Sequence, residues 1–315
     1  MSEQLRVGVV GVGHIGSFHA RIYSELESCI LASVFDDNPN SAVYAARKFN
    51  TKATTSLEEF ASAVDAATIS TPTSTHYVIG KFLLERGKHL LIEKPITDTT
   101  AQALELADLA HSKGCILQVG HVERFNPVLD ALEERLTQPR FLEATRLSPY
   151  PNRSTDIGVV LDLMIHDLEI ILHLVRSPIK SIDAVGIPVL SKGEDIANVR
   201  IRFENGCVAN ITASRISTEK VRKIRVFQEN AYLSLDYQKQ AAKMYRLTED
   251  KKIVKEKVRI RKDEPLKREL AAFIQCAKDG VRPKVSGHEA AAALEAALEI
   301  TRQIEAADPR KQQTQ

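Results

Sequence analysis

The stretch Leu5-Arg6-Val7-Gly8-Val9-Val10-Gly11-Val12-Gly13-His14-Ile15-Gly16 joins a Val-rich apolar run, a loop with three glycines and the start of a helix predicted over residues 14–26. In this context each glycine has a separate use. Gly11 permits the tight turn, Gly13 lets backbone approach a pyrophosphate, and Gly16 allows the helix to pack closely on the strand. Around His14 and Ile15 the helix start offers N–H groups and the positive end of a dipole to phosphates. Asp36, twenty-five residues after Gly11, closes the next apolar run, where a carboxylate can accept both ribose hydroxyls. Asp37 follows it with no Lys or Arg adjacent, so two carboxylates oppose a 2′-phosphate and NAD is favoured over NADP. Arg47 is the nearby base that works against this ordering. The competing reading of the loop is a Gly-rich turn in a flavodoxin-like sheet.

Outward from the loop, short apolar runs alternate with helical patterns. Strands are expected at 5–10, 31–35, 66–70, 90–93 and 116–119, with helices at 14–26, from Asn38-Pro39, at 75–86 and at 100–113. Ser56 and Glu59 have capping-box spacing before a further helix. This alternation predicts an α/β fold with a parallel sheet covered on both faces. From Phe141 the pattern changes. Val199, Ile201 and Phe203 alternate with Arg200, Arg202 and Glu204, and Asn205-Gly206 predicts a type I′ hairpin into 207–214. Runs at 221–227, 231–237 and 244–247 continue in this manner, so an antiparallel sheet is expected. Residues 159–175 read as one long helix packed on it, and helices are expected at 265–277 and 286–307.

Composition narrows the function classes. The 315 residues carry 43 Lys and Arg against 41 Asp and Glu, a net charge of +2, which argues against nucleic acid as a partner. The basic stretch at 251–262 is interrupted by Ile253, Val254, Val258 and Ile260 and reads as an edge strand blunted by lysines. Trp is absent, and the four cysteines form no CxxC pair, which argues against thiolate zinc and dithiol redox chemistry. No apolar run suits a membrane span or a leader, so a cytoplasmic protein without a membrane partner is expected.

Further motifs carry a resemblance. Ile69-Ser70-Thr71-Pro72 is followed by His76; then come Leu91-Ile92-Glu93-Lys94-Pro95 and Gly158-Val159-Val160-Leu161-Asp162 with His166. In order and spacing the chain resembles the Gfo/Idh/MocA oxidoreductases, from about residue 5 to about residue 300. The resemblance implies a Rossmann domain over 1–122, then an α+β domain over 123–309 with a large, mostly antiparallel sheet, and a polar tail at 310–315. It also implies that Lys94 reaches substrate and cofactor, that Asp162 and His166 face the substrate, and that the Thr71-Pro72 turn borders the cofactor with His76 near it. Gln118 is expected at the cofactor too, and Glu93 either holds Lys94 or lines the cofactor site. A homodimer or homotetramer is expected on the same footing. The stretch Gly120-His121-Val122-Glu123-Arg124-Phe125-Asn126-Pro127 resembles the domain junction of members that oxidise UDP-N-acetyl sugars at C3.

The residues support such chemistry on their own terms. Lys94 ends an apolar strand, where ligands bind in open α/β sheets, and can stabilise negative charge on an oxygen. Asp162 and His166, four apart, suit an acid–base relay in which His166 takes the hydroxyl proton as hydride leaves. Lys94 and His166 can exchange the base role, and a hydrogen-bonded core pair is the alternative reading of Asp162 and His166. Asp162, His166, Glu169 and His173 also form a possible metal ladder, but one straight helix rarely wraps an ion over three turns, and no metal is expected. Arg124, Asn126, Arg146, Tyr150 and Arg153 are expected at the substrate, some arginines on a diphosphate. The function expected is NAD-dependent oxidation of a secondary sugar hydroxyl, with C3 of a UDP-N-acetyl sugar as the leading substrate. An inositol, free-sugar or dihydrodiol dehydrogenase and a non-catalytic NAD-binding regulator are the alternatives.

Overall fold

The computed structural model describes residues 4–150 and 157–308; Arg153 and the tail expected from 310 lie outside the described residues. The chain divides into two units. The first runs to Arg124 and also takes in Glu264–Ala292, and the second holds Phe125–Asp263 and the chain from Ala293 onward. A single break near residue 122 was expected, so the return of 264–292 to the first unit is new.

In the first unit β1 (Leu5–Val10), α1 (His14–Glu25), β2 (Cys29–Phe35), α2 (Pro39–Phe49), β3 (Lys52–Ala53) and α3 (Leu57–Ala63) are followed by β4 (Ala66–Ile69), α4 (Thr73–Glu85), β5 (His89–Glu93), α5 (Thr100–Ser112) and β6 (Leu117–Gly120). The strands form a six-stranded parallel sheet in the order β3-β2-β1-β4-β5-β6. This is the Rossmann order, with the reversal between β1 and β4, and it bears out the expected α/β fold. Local chemistry sets the helix starts. Ser56 Oγ accepts the Glu59 N–H at 3.1 Å, while the Glu59 carboxylate turns to the Thr55 N–H at 2.9 Å instead of completing the box on Ser56.

The second unit begins with α6 (Pro127–Glu133) and β7 (Pro139–Leu147), followed by α7 (Ile165–Val175), β8 (Ile179–Ile187), β9 (Ile196–Phe203), β10 (Val208–Ser214), β11 (Val221–Gln228), β12 (Ala231–Asp236), β13 (Ala241–Leu247) and β14 (Ile253–Lys257). Its eight strands run β14-β13-β12-β11-β7-β10-β9-β8, antiparallel except for the β7–β10 pair. The lysine-bearing β14 is an edge strand, as read from the sequence. The large, mostly antiparallel sheet is therefore borne out. The inward residues Val199, Ile201 and Phe203 are 0–1% exposed, which matches the period-2 pattern.

Two expectations need correction here. The helix over 159–175 is not uniform: Val160–Met164 is a π turn, and only from Ile165 is the helix α-helical. The β9–β10 connection is not type I′, because Gly206 at φ +84° is left-handed and Asn205 is not. The Gly206 N–H donates to the Phe203 carbonyl at 3.0 Å, and the Asn205 N–H donates to Ser177 Oγ at 3.1 Å. Holding Asn205 in this way favours a turn with one left-handed glycine over a turn with two left-handed residues.

The chain then returns to the first unit as α8 (Pro265–Asp279), and α9 (Gly287–Ala307) begins there. Leu270, Phe273 and Ile274 of α8 are 0% exposed in the core shared with Val7, Val9, Ile22 and Val34. Each such burial contributes about 1.5–3 kcal/mol, which accounts for the segment's place in this unit.

Candidate functional site

The first unit holds the glycine loop as the sequence implied. Gly11 is left-handed at φ +82°, and its N–H donates to the Phe35 carbonyl at 2.8 Å. Ser70 Oγ donates to the Gly11 carbonyl at 2.7 Å, binding the loop to the end of β4. A Cβ on Gly16 would overlap the Gly11 carbonyl oxygen and lie 2.6 Å from Ser70 Oγ, so only glycine fits. A Cβ on Gly13 would meet nothing within 4 Å. Backbone is thus open at Gly13 to an incoming group, and no side chain caps α1 or places an acid in its first turn. His14 and Ile15 are exposed there. Such a cradle fits the pyrophosphate of NAD.

Asp36 is half-buried at the end of β2. Its Oδ2 accepts the Val12 N–H at 2.8 Å and its Oδ1 accepts the Asn38 N–H at 3.0 Å. The carboxylate therefore fixes the glycine loop and keeps lone pairs for ribose hydroxyls. Asp37 beside it is exposed. Replacing Asp36 with Ala is expected to weaken NADH binding about 10- to 100-fold, the worth of hydrogen bonds to a charged group, and to narrow the gap between NADH and NADPH. Titration by NADH fluorescence, in a chain without Trp, checks this; an unchanged NADH/NADPH ratio would remove Asp36 from cofactor choice.

His76 ties two loops together. Its Nδ1 lies 3.0 Å from the Pro95 carbonyl and its Nε2 lies 2.9 Å from the Thr71 carbonyl. Burial lowers its pKa against the pull of those carbonyls, and the side chain positions the Thr71-Pro72 and Lys94-Pro95 turns from behind. Glu93 Oε2 accepts the Lys94 N–H at 3.2 Å, and Glu93 Oε1 lies 3.1 Å from His19 Nε2. Burial works against ionisation of Glu93, but His19 and then Lys94 outweigh it, so its carboxyl stays below the usual range. Gly120 makes room for that carboxylate: a Cβ there would lie 2.9 Å from it. Burial, then Lys94 and Arg124, push the neighbouring His121 down to about 3. Glu269 of α8 shows the opposite shift, held well above the carboxylate range by burial and by Glu93. His19 and Glu269 belong to no motif quoted above, and His121 stands in the junction stretch with no role of its own; all three meet Glu93 only through the fold.

In the second unit, Asp162 lies in the π turn and His166 in the first turn of α7, both half-buried, on a segment whose Met164, Ile165 and Leu168 are buried. Tyr150 is half-buried beyond the end of β7. Of the metal ladder considered above, His173 Nε2 lies 3.1 Å from Glu133 Oε1, and among the described residues no three His, Cys, Asp or Glu side chains converge as metal ligands.

Four residues expected at ligands have partners within the protein. Gln118 is 0% exposed and donates to the Glu269 carbonyl at 3.2 Å, inside the first unit. Arg124 is buried and donates to the Lys284 carbonyl at 3.5 Å. Asn126 caps α6 by accepting the Val128 N–H and donates to the Tyr237 carbonyl at 3.1 Å. Arg146 is buried and forks onto Asp167, Nε to Oδ2 at 2.7 Å and Nη2 to Oδ1 at 3.0 Å. The reason is common to all four: a buried polar group needs partners, and those partners come from distant parts of the chain. Among the described residues no helix is long and apolar enough to cross a membrane.

With this geometry in place, the chain can be set beside known proteins. Residues 5–121 match the model of an oxidoreductase family with an NAD-binding Rossmann fold, and residues 133–234 match a GFO/IDH/MocA C-terminal domain. The chain is 39% identical over 234 residues, 74% of each chain, to UDP-N-acetylglucosamine 3-dehydrogenase of Acidithiobacillus ferrooxidans. The solved structure of the enzyme of that name from the same organism, GnnA, superposes with a TM-score of 0.92 at 35% identity, covering 96% of this chain and 99% of that one. An NAD(+)-dependent scyllo-inositol 2-dehydrogenase of Bacillus subtilis is 27% identical over 238 residues, 69% of each chain.

Proposed function

The chain belongs to the GFO/IDH/MocA oxidoreductases, and from that premise we propose that it oxidises the C3 hydroxyl of a UDP-N-acetyl sugar, UDP-N-acetylglucosamine first among them. The extended identity with the Acidithiobacillus enzyme carries this reading, since the inositol dehydrogenases match more weakly. Bound at the glycine loop, NAD supplies the hydride acceptor.

His166 takes the hydroxyl proton on an imidazole nitrogen, as a positioned histidine does in general base catalysis. Asp162 stabilises the imidazolium or passes the proton on. Lys94 donates to the C3 oxygen, where negative charge gathers as the proton departs, and the product is a 3-keto sugar. Glu93, through the Lys94 N–H, and His76, through the Pro95 carbonyl, fix the turn that presents Lys94. Arg124, Arg146 and Arg153 are the arginines from which we expect the diphosphate's partners.

Adding UDP-N-acetylglucosamine and NAD to the chain is expected to produce NADH, followed at its own fluorescence. UDP-N-acetylglucosaminuronate, myo-inositol and free hexoses are the comparison substrates. NADH from myo-inositol with none from either nucleotide sugar would overturn the substrate and leave the family chemistry in place.

A further inference from the structure

Asp162 and His166 sit on a helix start that no local residue caps. Val159, just before the π turn, is 0% exposed and offers no side-chain acceptor. The first N–H groups of a helix then need acceptors from elsewhere. Two of them find the same distant residue. The Val159 N–H donates to the Glu194 main-chain carbonyl at 2.9 Å, and the Val160 N–H donates to Glu194 Oε1 at 3.1 Å. Glu194 is only 5% exposed. Gly158 makes this possible, because a Cβ there would overlap the Glu194 carboxylate.

Glu194 is itself held by a rigid loop. The next residue, Asp195, accepts the N–H groups of Val189, Leu190 and Ser191 on Oδ2 at 2.8, 2.6 and 2.9 Å. Its Oδ1 accepts Ser191 Oγ at 2.6 Å and Arg215 Nε at 2.8 Å. Burial opposes the charge on Asp195, yet these donors hold its carboxyl well below the usual range. Arg215, 0% exposed, reaches the Ile157 carbonyl at 2.7 Å with its other arm. The loop and the Arg215 bound to it thus grip the chain on both sides of Gly158.

We propose that Glu194 is a positioning residue for the Asp162–His166 pair: it anchors the first turn of their helix and so sets where both side chains point. This rests on the catalytic reading of that pair given above. The π turn gives the anchor its leverage. The Ile165 N–H reaches back to the Val160 carbonyl, and the Asp162 N–H donates to the Gly158 carbonyl at 3.1 Å. Where Val160 is held therefore fixes the register of Asp162 against His166. A carboxylate at this end also complements the helix dipole.

Glu194→Ala, Glu194→Asp and Glu194→Gln in the full chain test the proposal. Ala removes the acceptor and Asp withdraws it by one methylene; each is expected to lower kcat by about 10- to 100-fold with NADH affinity unchanged. Gln keeps an acceptor at the same reach and is expected to restore kcat to within about twofold. The readout that a merely structural role would not move is the His166 imidazole signal in 1H–15N spectra of the substrate-free protein, identified by its loss in His166→Asn. It is expected to shift in the Ala and Asp variants and to return in Gln; where Ala does not fold, Asp carries the comparison. A His166 signal identical to wild type in the Ala variant, or in Asp where Asp stands in, overturns the proposal. A shifted signal in a chain whose wild type turns over no nucleotide sugar supports the positioning role and overturns the catalytic reading instead.

Discussion

His166→Ala is expected to lower kcat for UDP-N-acetylglucosamine oxidation by about 10²- to 10⁴-fold, the usual range for loss of a positioned general base. NADH affinity should stay within about twofold, because the cofactor cradle is built from the first unit's own glycine loop and Asp36. Lys94→Ala is expected to lower kcat by about 10²- to 10³-fold through the loss of a donor to the developing oxyanion. The two variants also decide which residue is the base. A base acts when deprotonated, so kcat/KM rises with pH through the base's pKa. If His166 is the base, His166→Ala flattens that rise and Lys94→Ala keeps it; the reverse pattern gives the role to Lys94. Full turnover in both variants would mean that neither residue belongs to the chemistry.

What was legible in the sequence follows from how locally each feature is determined. The glycine loop is one contiguous stretch, and its turn, its close packing and its open backbone are properties of Gly11, Gly16 and Gly13 themselves. The strand alternation of 199–204 is equally local, and the sheet followed it. Protein partners that come from distant parts of the chain were not legible. Arg146 looked like a free arginine because Asp167 lies on another element, and Asn126 looked polar and available because its cap and the Tyr237 carbonyl were unseen. The π turn is hidden for a related reason. Nothing in Val160–Met164 forbids an ordinary helix, and the acceptors for its first N–H groups come from Glu194 and Gly158 in the folded chain. The helix expected at 265–277 reads the same either way; the burial of Leu270, Phe273 and Ile274 in one core with Val7, Val9, Ile22 and Val34 is what assigns it to the first unit.

Gly13→Ala and Gly16→Ala are expected to weaken NADH binding for different reasons, and measuring stability separates the two. At Gly16 the new methyl would overlap the Gly11 carbonyl. That carbonyl cannot retreat, because Gly11 is held left-handed, its N–H is bonded to Phe35, and Ser70 is bonded to its oxygen. Helix α1 must therefore move off β1, at about 1–3 kcal/mol for forced overpacking, and urea should unfold the variant at a lower midpoint. At Gly13 the methyl meets no protein atom within 4 Å, so stability should stay within about 0.5 kcal/mol of wild type. The methyl would stand instead where the pyrophosphate approaches the backbone, and NADH affinity should fall by at least about tenfold, a loss of 1.4 kcal/mol. Urea denaturation and NADH titration of both variants check this pairing. A Gly13→Ala chain that binds NADH like the wild type would mean that the open face of the loop is not the cofactor's, whatever Gly16→Ala does.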